Sequence, residues 1–346
     1  MERSTSPLTA DLVLEGGGVK GIALVGALSV LEERGYTFPR VAGTSAGAIV
    51  GALVAAGFGA DELRTIMENV DYRRFQDGDW LTRLGLPGKV VAVASRQGVY
   101  RGEHLRSWLG ELLEQREVRT FADLAVTDPA TSLPEDRRFR LVVMASDISD
   151  GQLRRLPWDN ALLGLPVGGA SVVDAVRASM SIPFFYRPWK VPARHGRRWF
   201  VDGGMLSNFP IAAFDRTDGR VPRWPTFGVK LGADPGPEDG FLHPIRGTLS
   251  FGKALLGTMS GFYDRIQTMD PMVRSRTIVV DTMGVPATRF DIDRATQRQL
   301  FASGRQAAED FLARWNWPAH LAARVASAAT GTGEADPSGP VTPDRR

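Results

Sequence analysis

Six residues near the start of the chain, Gly16-Gly17-Gly18-Val19-Lys20-Gly21, restrict the fold more than any other segment. They follow Asp11-Leu-Val-Leu, which reads as a short strand. They precede Ile22, Leu24, Val25, Leu28 and Leu31, set at helical spacing in a run from Val19 to Arg34 that stops at Gly35. Successive glycines let a backbone take positive φ and turn its N–H groups toward one point. The helix that follows adds a partial positive charge there. Such a turn holds an anion, either a phosphate or an oxyanion.

A second unit follows at once. Arg40 to Gly43 predicts a strand and the next residues a helix through Ala56. Strands alternating with helices predict a parallel sheet within an α/β layer fold. Further strands are expected at Phe139–Ser146, Arg198–Val201, Thr226–Leu231 and Thr277–Asp281, and helices at Ser171–Ser179, Thr248–Thr268 and Arg294–Trp315. Residues 61–118 read as mostly helical, with a break between Gln76 and Gly102. The 346 residues are 43% hydrophobic and 23% charged, which excludes a disordered or fibrous chain and allows a sizeable core. No repeat or composition shift divides them. One catalytic domain is expected over residues 10–320, after a flexible N-terminus of residues 1–9. The Gly/Pro/Ser/Thr-rich tail 331–346 reads as disordered.

Composition removes several chemistries. Cysteine is absent, so disulfides, thiolate metal sites and a cysteine nucleophile are excluded. The four histidines, His104, His195, His243 and His320, are far apart in sequence, and neither a metal nor a cofactor is expected. Of 42 basic residues only five are lysine, and the arginines are scattered. No basic cluster with interleaved aromatics points to nucleic acid. The net charge of +3 suits a solvated surface or attraction to anionic membranes. Met1–Ala10 has no apolar core for a secretory signal. The stretch Ala46–Ala60 is shorter than the ~20 residues of a membrane span. A cytoplasmic protein is expected, touching a membrane only peripherally.

The glycine turn also spells Gly-x-Gly-x-x-Gly. A dinucleotide site would need an acidic residue ending the second strand, and Arg40-Val-Ala-Gly-Thr supplies none. A nucleotide phosphate loop would need Ser or Thr after Lys20, where Gly21 stands. The second motif is Gly43-Thr44-Ser45-Ala46-Gly47, a Gly-x-Ser-x-Gly sequence at a strand-to-helix turn. That turn exposes a serine Oγ, its glycines avoid clashes with strand and helix, and Ala46 offers a backbone N–H to an oxyanion. A nucleophilic serine needs a base. None of the four histidines has a diagnostic neighbourhood. Asp202, in Val201-Asp202-Gly203-Gly204 directly after a strand, is the better candidate. Burial or contact with the serine would have to make an aspartate basic enough.

The order Gly-Gly-Gly-x-Lys-Gly, Gly-x-Ser-x-Gly, Asp-Gly-Gly resembles the patatin-like phospholipase family, in its bacterial, single-domain form. The resemblance covers residues 11–232, with weaker support to about 282, and includes the run Ala178-Ser-Met-Ser-Ile-Pro183. It implies a three-layer α/β/α sandwich with a central, mostly parallel sheet. It also implies lipid acyl hydrolysis without metal or histidine. Ser45 then matches the nucleophile of a Ser–Asp dyad and Asp202 its partner. Gly16, Gly17 and Gly18 match the oxyanion-hole glycines, with Lys20, Gly43, Ala46, Gly47, Gly203 and Gly204 in support. The expected substrate is a phospholipid or lysophospholipid. Alternatives on the same fold are an acyltransferase, a carboxylesterase, a partner-activated phospholipase effector or a non-enzymatic lipid-binding module. Two apolar segments, Gln76–Gly102 with Trp80 and Phe241–Tyr263, read either as core packing or as a lid or face that meets lipid.

Overall fold

The computed structural model describes residues 8–232, 266 and 268–329. The expected helix Thr248–Thr268, the lipid-facing candidate Phe241–Tyr263 and the tail 331–346 lie wholly or almost wholly outside the described residues. The chain forms a three-layer α/β/α sandwich around a mixed, mostly parallel sheet. Leu8–Thr9 (β1), assigned from sequence to a flexible terminus, pairs with Tyr36–Thr37 (β3) as a small separate ladder. Asp11–Leu14 (β2) and Val41–Thr44 (β4) lie at the heart of the main sheet, and all eight of their residues are buried. A strand covered on both faces reads as a continuous apolar run rather than an alternating one.

Between these strands runs helix α1 (Gly21–Glu33), and β4 leads directly into α2 (Ala46–Ala55). Both helices are buried along nearly their whole length, because they lie between the sheet and further helices. Then come α3 (Ala60–Asn69), α4 (Gly85–Arg96), the short β5 (Gly98–Tyr100) and α5 (Glu103–Glu114). The break expected over 76–102 thus contains a helix. Gly85, Pro87 and Gly88 sit in its first turn, where proline costs no hydrogen bond, and so hide it from a reading by propensity.

Leu141–Asp147 (β6) continues the sheet, and Gln152–Leu156 (β7) returns along it. The cap Ser171, whose hydroxyl accepts the Asp174 N–H, starts α6 (Val172–Ser179). Three strands follow: Phe184–Tyr186 (β8), Trp189–Ala193 (β9) and Gly196–Asp202 (β10). Thr226–Leu231 (β11) and Thr277–Val280 (β12) extend the far side of the sheet in parallel. The expected closing helix forms over Arg294–Arg314, and a further helix, Trp317–Ala329, follows it.

The register around β6 decides where Ser45 and Asp202 meet. Strand β7 covers one edge of β6 over Val143–Asp147. The other edge is shared end to end by two strands. β4 runs parallel to β6 and stops at Thr44 opposite Met144, while β10 runs antiparallel and stops at Asp202 opposite Ala145. Successive levels along a strand are about 3.3 Å apart. The tips of β4 and β10 therefore abut, and the turns that leave them rise together.

Candidate active site

Ser45 leaves β4 at φ 53° and ψ −122°, a conformation that costs a non-glycine residue on the order of 1–3 kcal/mol. Three contacts hold it there. Its N–H donates to the Ser179 hydroxyl at 2.8 Å. Its carbonyl accepts the N–H groups of Ala48 at 2.9 Å and Ile49 at 3.2 Å, starting α2. The third contact is steric: a Cβ on Gly43 would overlap Gly47, and one on Gly47 would overlap the Leu14 carbonyl of β2. Both glycines of Gly-x-Ser-x-Gly thus serve the close approach of turn, helix and neighbouring strand. Ala46 is the first residue of α2, where an N–H has no intrahelical acceptor.

Asp202 is buried at the tip of β10. Its N–H donates to the Ser181 carbonyl at 2.9 Å, and its Oδ1 accepts the Gly204 N–H at 2.8 Å. Burial raises its carboxyl to about 6, against smaller downward pulls from the Gly204 N–H and a hydrogen bond with the Ser45 side chain. The Ser45 hydroxyl also lies 3.4 Å from Met180 Sδ. Gly203 crosses over β6 where a Cβ would strike the Met144 carbonyl, and its own carbonyl accepts the Ser146 hydroxyl at 3.3 Å.

The glycine turn comes up beside Ser45. A Cβ on Gly16 would stand 3.0 Å from Ser45 Cβ and overlap Asn208 Oδ1. The Gly16 N–H is already used, donating to the Asn208 carbonyl at 3.1 Å. The N–H groups of Gly17 and Gly18 have no acceptor among the described residues. Gly18 takes φ +56° under the Ala287 carbonyl, which accepts the Val19 N–H at 3.1 Å. Lys20 is half-buried, and burial lowers its pKa against the upward pull of Glu15.

Sequence reasoning missed the residues that tie these turns together. The buried Glu15 carboxylate accepts the Leu231 N–H, Lys230 Nζ at 3.3 Å and Asn208 Nδ2 at 3.2 Å. Asn208 also donates to the Gly16 carbonyl at 3.0 Å, stapling the glycine turn to the segment after Asp202. Ser179 and Met180 touch Ser45, and Ser181 holds Asp202. Buried Arg177 braces that segment by donating to Ser181 Oγ at 2.7 Å and to the Arg187 carbonyl at 3.1 Å. The run 178–183 was visible in sequence as part of the family resemblance, but not its contacts. Nothing local marks Glu15 or Asn208.

Other candidates fall elsewhere. A cavity of about 340 Å³ opens at the opposite end of the strands, where β2 and β11 begin. Its walls hold the ion pairs Asp11–Arg40 and Asp215–Arg276, and His320 lies there. Burial pushes the His320 imidazole down to about 4. His104 packs against Phe75 in α5. Among the described residues no three His, Asp or Glu side chains come together as a metal site.

The fold is an α/β sandwich that carries its three glycine-rich motifs in the order Gly-Gly-Gly-x-Lys-Gly, Gly-x-Ser-x-Gly, Asp-Gly-Gly. The family model for patatin-like phospholipase matches residues 12–215. The chain is 36% identical over 310 residues to the uncharacterized protein YqhO of Bacillus subtilis, covering 89% of this chain and 99% of that one. It is 28% identical over 252 residues to the cUMP-AMP-activated phospholipase of Escherichia coli, covering 68% of each. The solved structure of VipD from Legionella pneumophila matches with a TM-score of 0.51 at 17% identity, over 89% of this chain and 67% of that one. That likeness speaks for the fold alone. The chain belongs to the patatin-like phospholipase family, and the family supports lipid hydrolysis as its activity.

Proposed function

We propose that the protein is a serine acyl hydrolase of phospholipase A or lysophospholipase type, cleaving fatty-acyl esters of glycerolipids through Ser45 and Asp202. The observation that carries this reading is the pairing of a strained, turn-borne serine with a buried aspartate whose carboxyl lies near 6. A carboxylate with that affinity for a proton is a far better base at neutral pH than an ordinary aspartate. Ser45 Oγ attacks the ester carbonyl and passes its proton to Asp202. The N–H groups of Gly17, Gly18 and Ala46 face the developing oxyanion, and loss of one such donor usually costs ~10²–10³ in rate. Gly16 contributes its missing side chain, since Asn208 takes its N–H. Asp202 then protonates the leaving alcohol, and water cleaves the acyl-enzyme.

The test is fatty-acid release from mixed phospholipid and lysophospholipid vesicles, measured by mass spectrometry. Ser45→Ala and Asp202→Asn should each abolish release with the fold intact. A fully active Asp202→Asn protein overturns the dyad. An alcohol acceptor in the same assay separates hydrolysis from acyl transfer. The E. coli relative is by its name activated by cUMP-AMP, so the assay is run with and without a cyclic dinucleotide.

A further inference from the structure

Helix α4 and the turn before it form an unusual surface. Trp80, Leu84, Leu86, Val90 and Val91 are 63%, 60%, 74%, 57% and 50% exposed, five of the fourteen exposed large hydrophobic residues among those described. The helix buries its smallest side chains. Only Gly88 and Ala92, one turn apart, are buried, and Gly88 packs so closely that a Cβ would overlap the Leu81 carbonyl. An amphipathic helix normally buries its large apolar residues and leaves the small ones outside. Here the order is reversed.

The charge carried by the segment itself has one sign. Residues 80–102 include Arg83, Lys89, Arg96 and Arg101 and no Asp or Glu. Arg96 pairs with Asp79, outside the segment, whereas exposed Arg83 and Lys89 make no ion pair with any described residue. Apolar side chains between unpaired cations match an anionic lipid surface, in which acyl chains lie beneath negative headgroups. A second copy of the chain fits poorly, because two such faces would oppose like charges.

The segment is linked through the chain to the residues beside Ser45 and Asp202. α4 runs into β5, where Gly98 and Tyr100 pair with Phe184 and Tyr186 of β8. β8 begins three residues after Ser181, whose carbonyl holds the Asp202 N–H, and Phe184 is itself 49% exposed.

We propose that residues 80–91 are a docking surface for anionic phospholipid membranes, which sets the Ser45 site at the lipid interface. Its purpose rests on the acyl-hydrolase reading, but its test does not. The wild type, Leu86→Asp/Val90→Asp and Arg83→Glu/Lys89→Glu are floated with vesicles of phosphatidylcholine alone or with phosphatidylglycerol admixed. All three are also assayed on a soluble short-chain nitrophenyl ester. Binding of wild type only where phosphatidylglycerol is present, weakened roughly tenfold or more in both double variants at unchanged soluble-ester turnover, is the expected result. Equal binding by all three proteins overturns the proposal, as does equal binding of wild type to both vesicles. So does a concentration-dependent dimer in sedimentation velocity that the same substitutions disperse. If no protein hydrolyses ester or lipid, the enzymatic reading fails, while flotation still decides the docking surface.

Discussion

Ser45 and Asp202 stand at the tips of two strands that run toward each other along one edge of β6, Thr44 opposite Met144 and Asp202 opposite Ala145. The run Ser179–Ser181 bridges the gap between them. Its first hydroxyl accepts the Ser45 N–H and its last carbonyl accepts the Asp202 N–H. The two side chains are therefore set against each other by backbone and not by flexible reach, which is the condition for positioned proton transfer.

The first prediction concerns rate against pH. A base must be ionised to accept the serine proton, and burial raises the Asp202 carboxyl to about 6. On a soluble ester, kcat/KM should rise about tenfold per pH unit below 6 and level off above it. A profile flat from pH 5 to 8 would exclude Asp202 as the base.

The same group carries a stability signature of opposite sense. With its carboxyl raised from 3.8 to about 6, the native state holds a proton that the unfolded chain has released. That contribution is fully present below pH 4 and is lost as pH rises through 6. At neutral pH wild type carries a charged, desolvated carboxylate at a cost of roughly 3 kcal/mol. Asp202→Asn can still accept the Gly204 N–H. It should unfold at higher urea than wild type at pH 8, with the difference vanishing at pH 4. Equal midpoints at pH 8 would contradict the desolvation.

Ser179 is a positioning residue for the strained turn. Ser179→Ala leaves the buried Ser45 N–H without its 2.8 Å acceptor. A group orphaned in this way costs about 1–3 kcal/mol, which the turn can recover only by relaxing its backbone. The expected result is a kcat loss of roughly 10- to 100-fold with KM and the pH profile little changed. Ser179→Thr should restore part of it. A fall in stability without a fall in kcat would make the residue merely structural.

Glycine substitutions separate close approach from ordinary packing. Gly47→Ala would put a Cβ against the Leu14 carbonyl, and Gly16→Ala would put one against Asn208 and Ser45. Overpacking of this kind costs about 1–3 kcal/mol, and both variants should also lose activity. Gly110, in α5, would bring its Cβ no nearer than 3.9 Å to Val173. Gly110→Ala should be neutral or stabilising by about 0.5–1 kcal/mol and fully active. Thermal melts with parallel rate measurements compare the three.

Much of the architecture was legible in the residues, because strand, glycine turn and elbow are local devices. A turn that needs positive φ or close approach writes its glycines within a few positions, and a buried parallel strand writes an apolar run. From these alone followed β2, β4, β11, the first two helices and the candidate Ser45, whereas Asp202 stands in a common turn sequence and gained its weight from the order of the three motifs. Helix α4 was not legible, since its glycines and proline imitate a loop and its large apolar residues face outward instead of marking a buried stripe.

What only the tertiary structure decided is how distant residues share one place. Nothing near Asp202 states that β10 ends against β4, because register is set by pairing along β6 and by packing across the sheet. The same holds for Asn208, which takes the N–H of Gly16, while those of Gly17 and Gly18 have no acceptor among the described residues. Burial around Asp202 is a sum over many segments, so its raised proton affinity belongs to the folded chain as a whole.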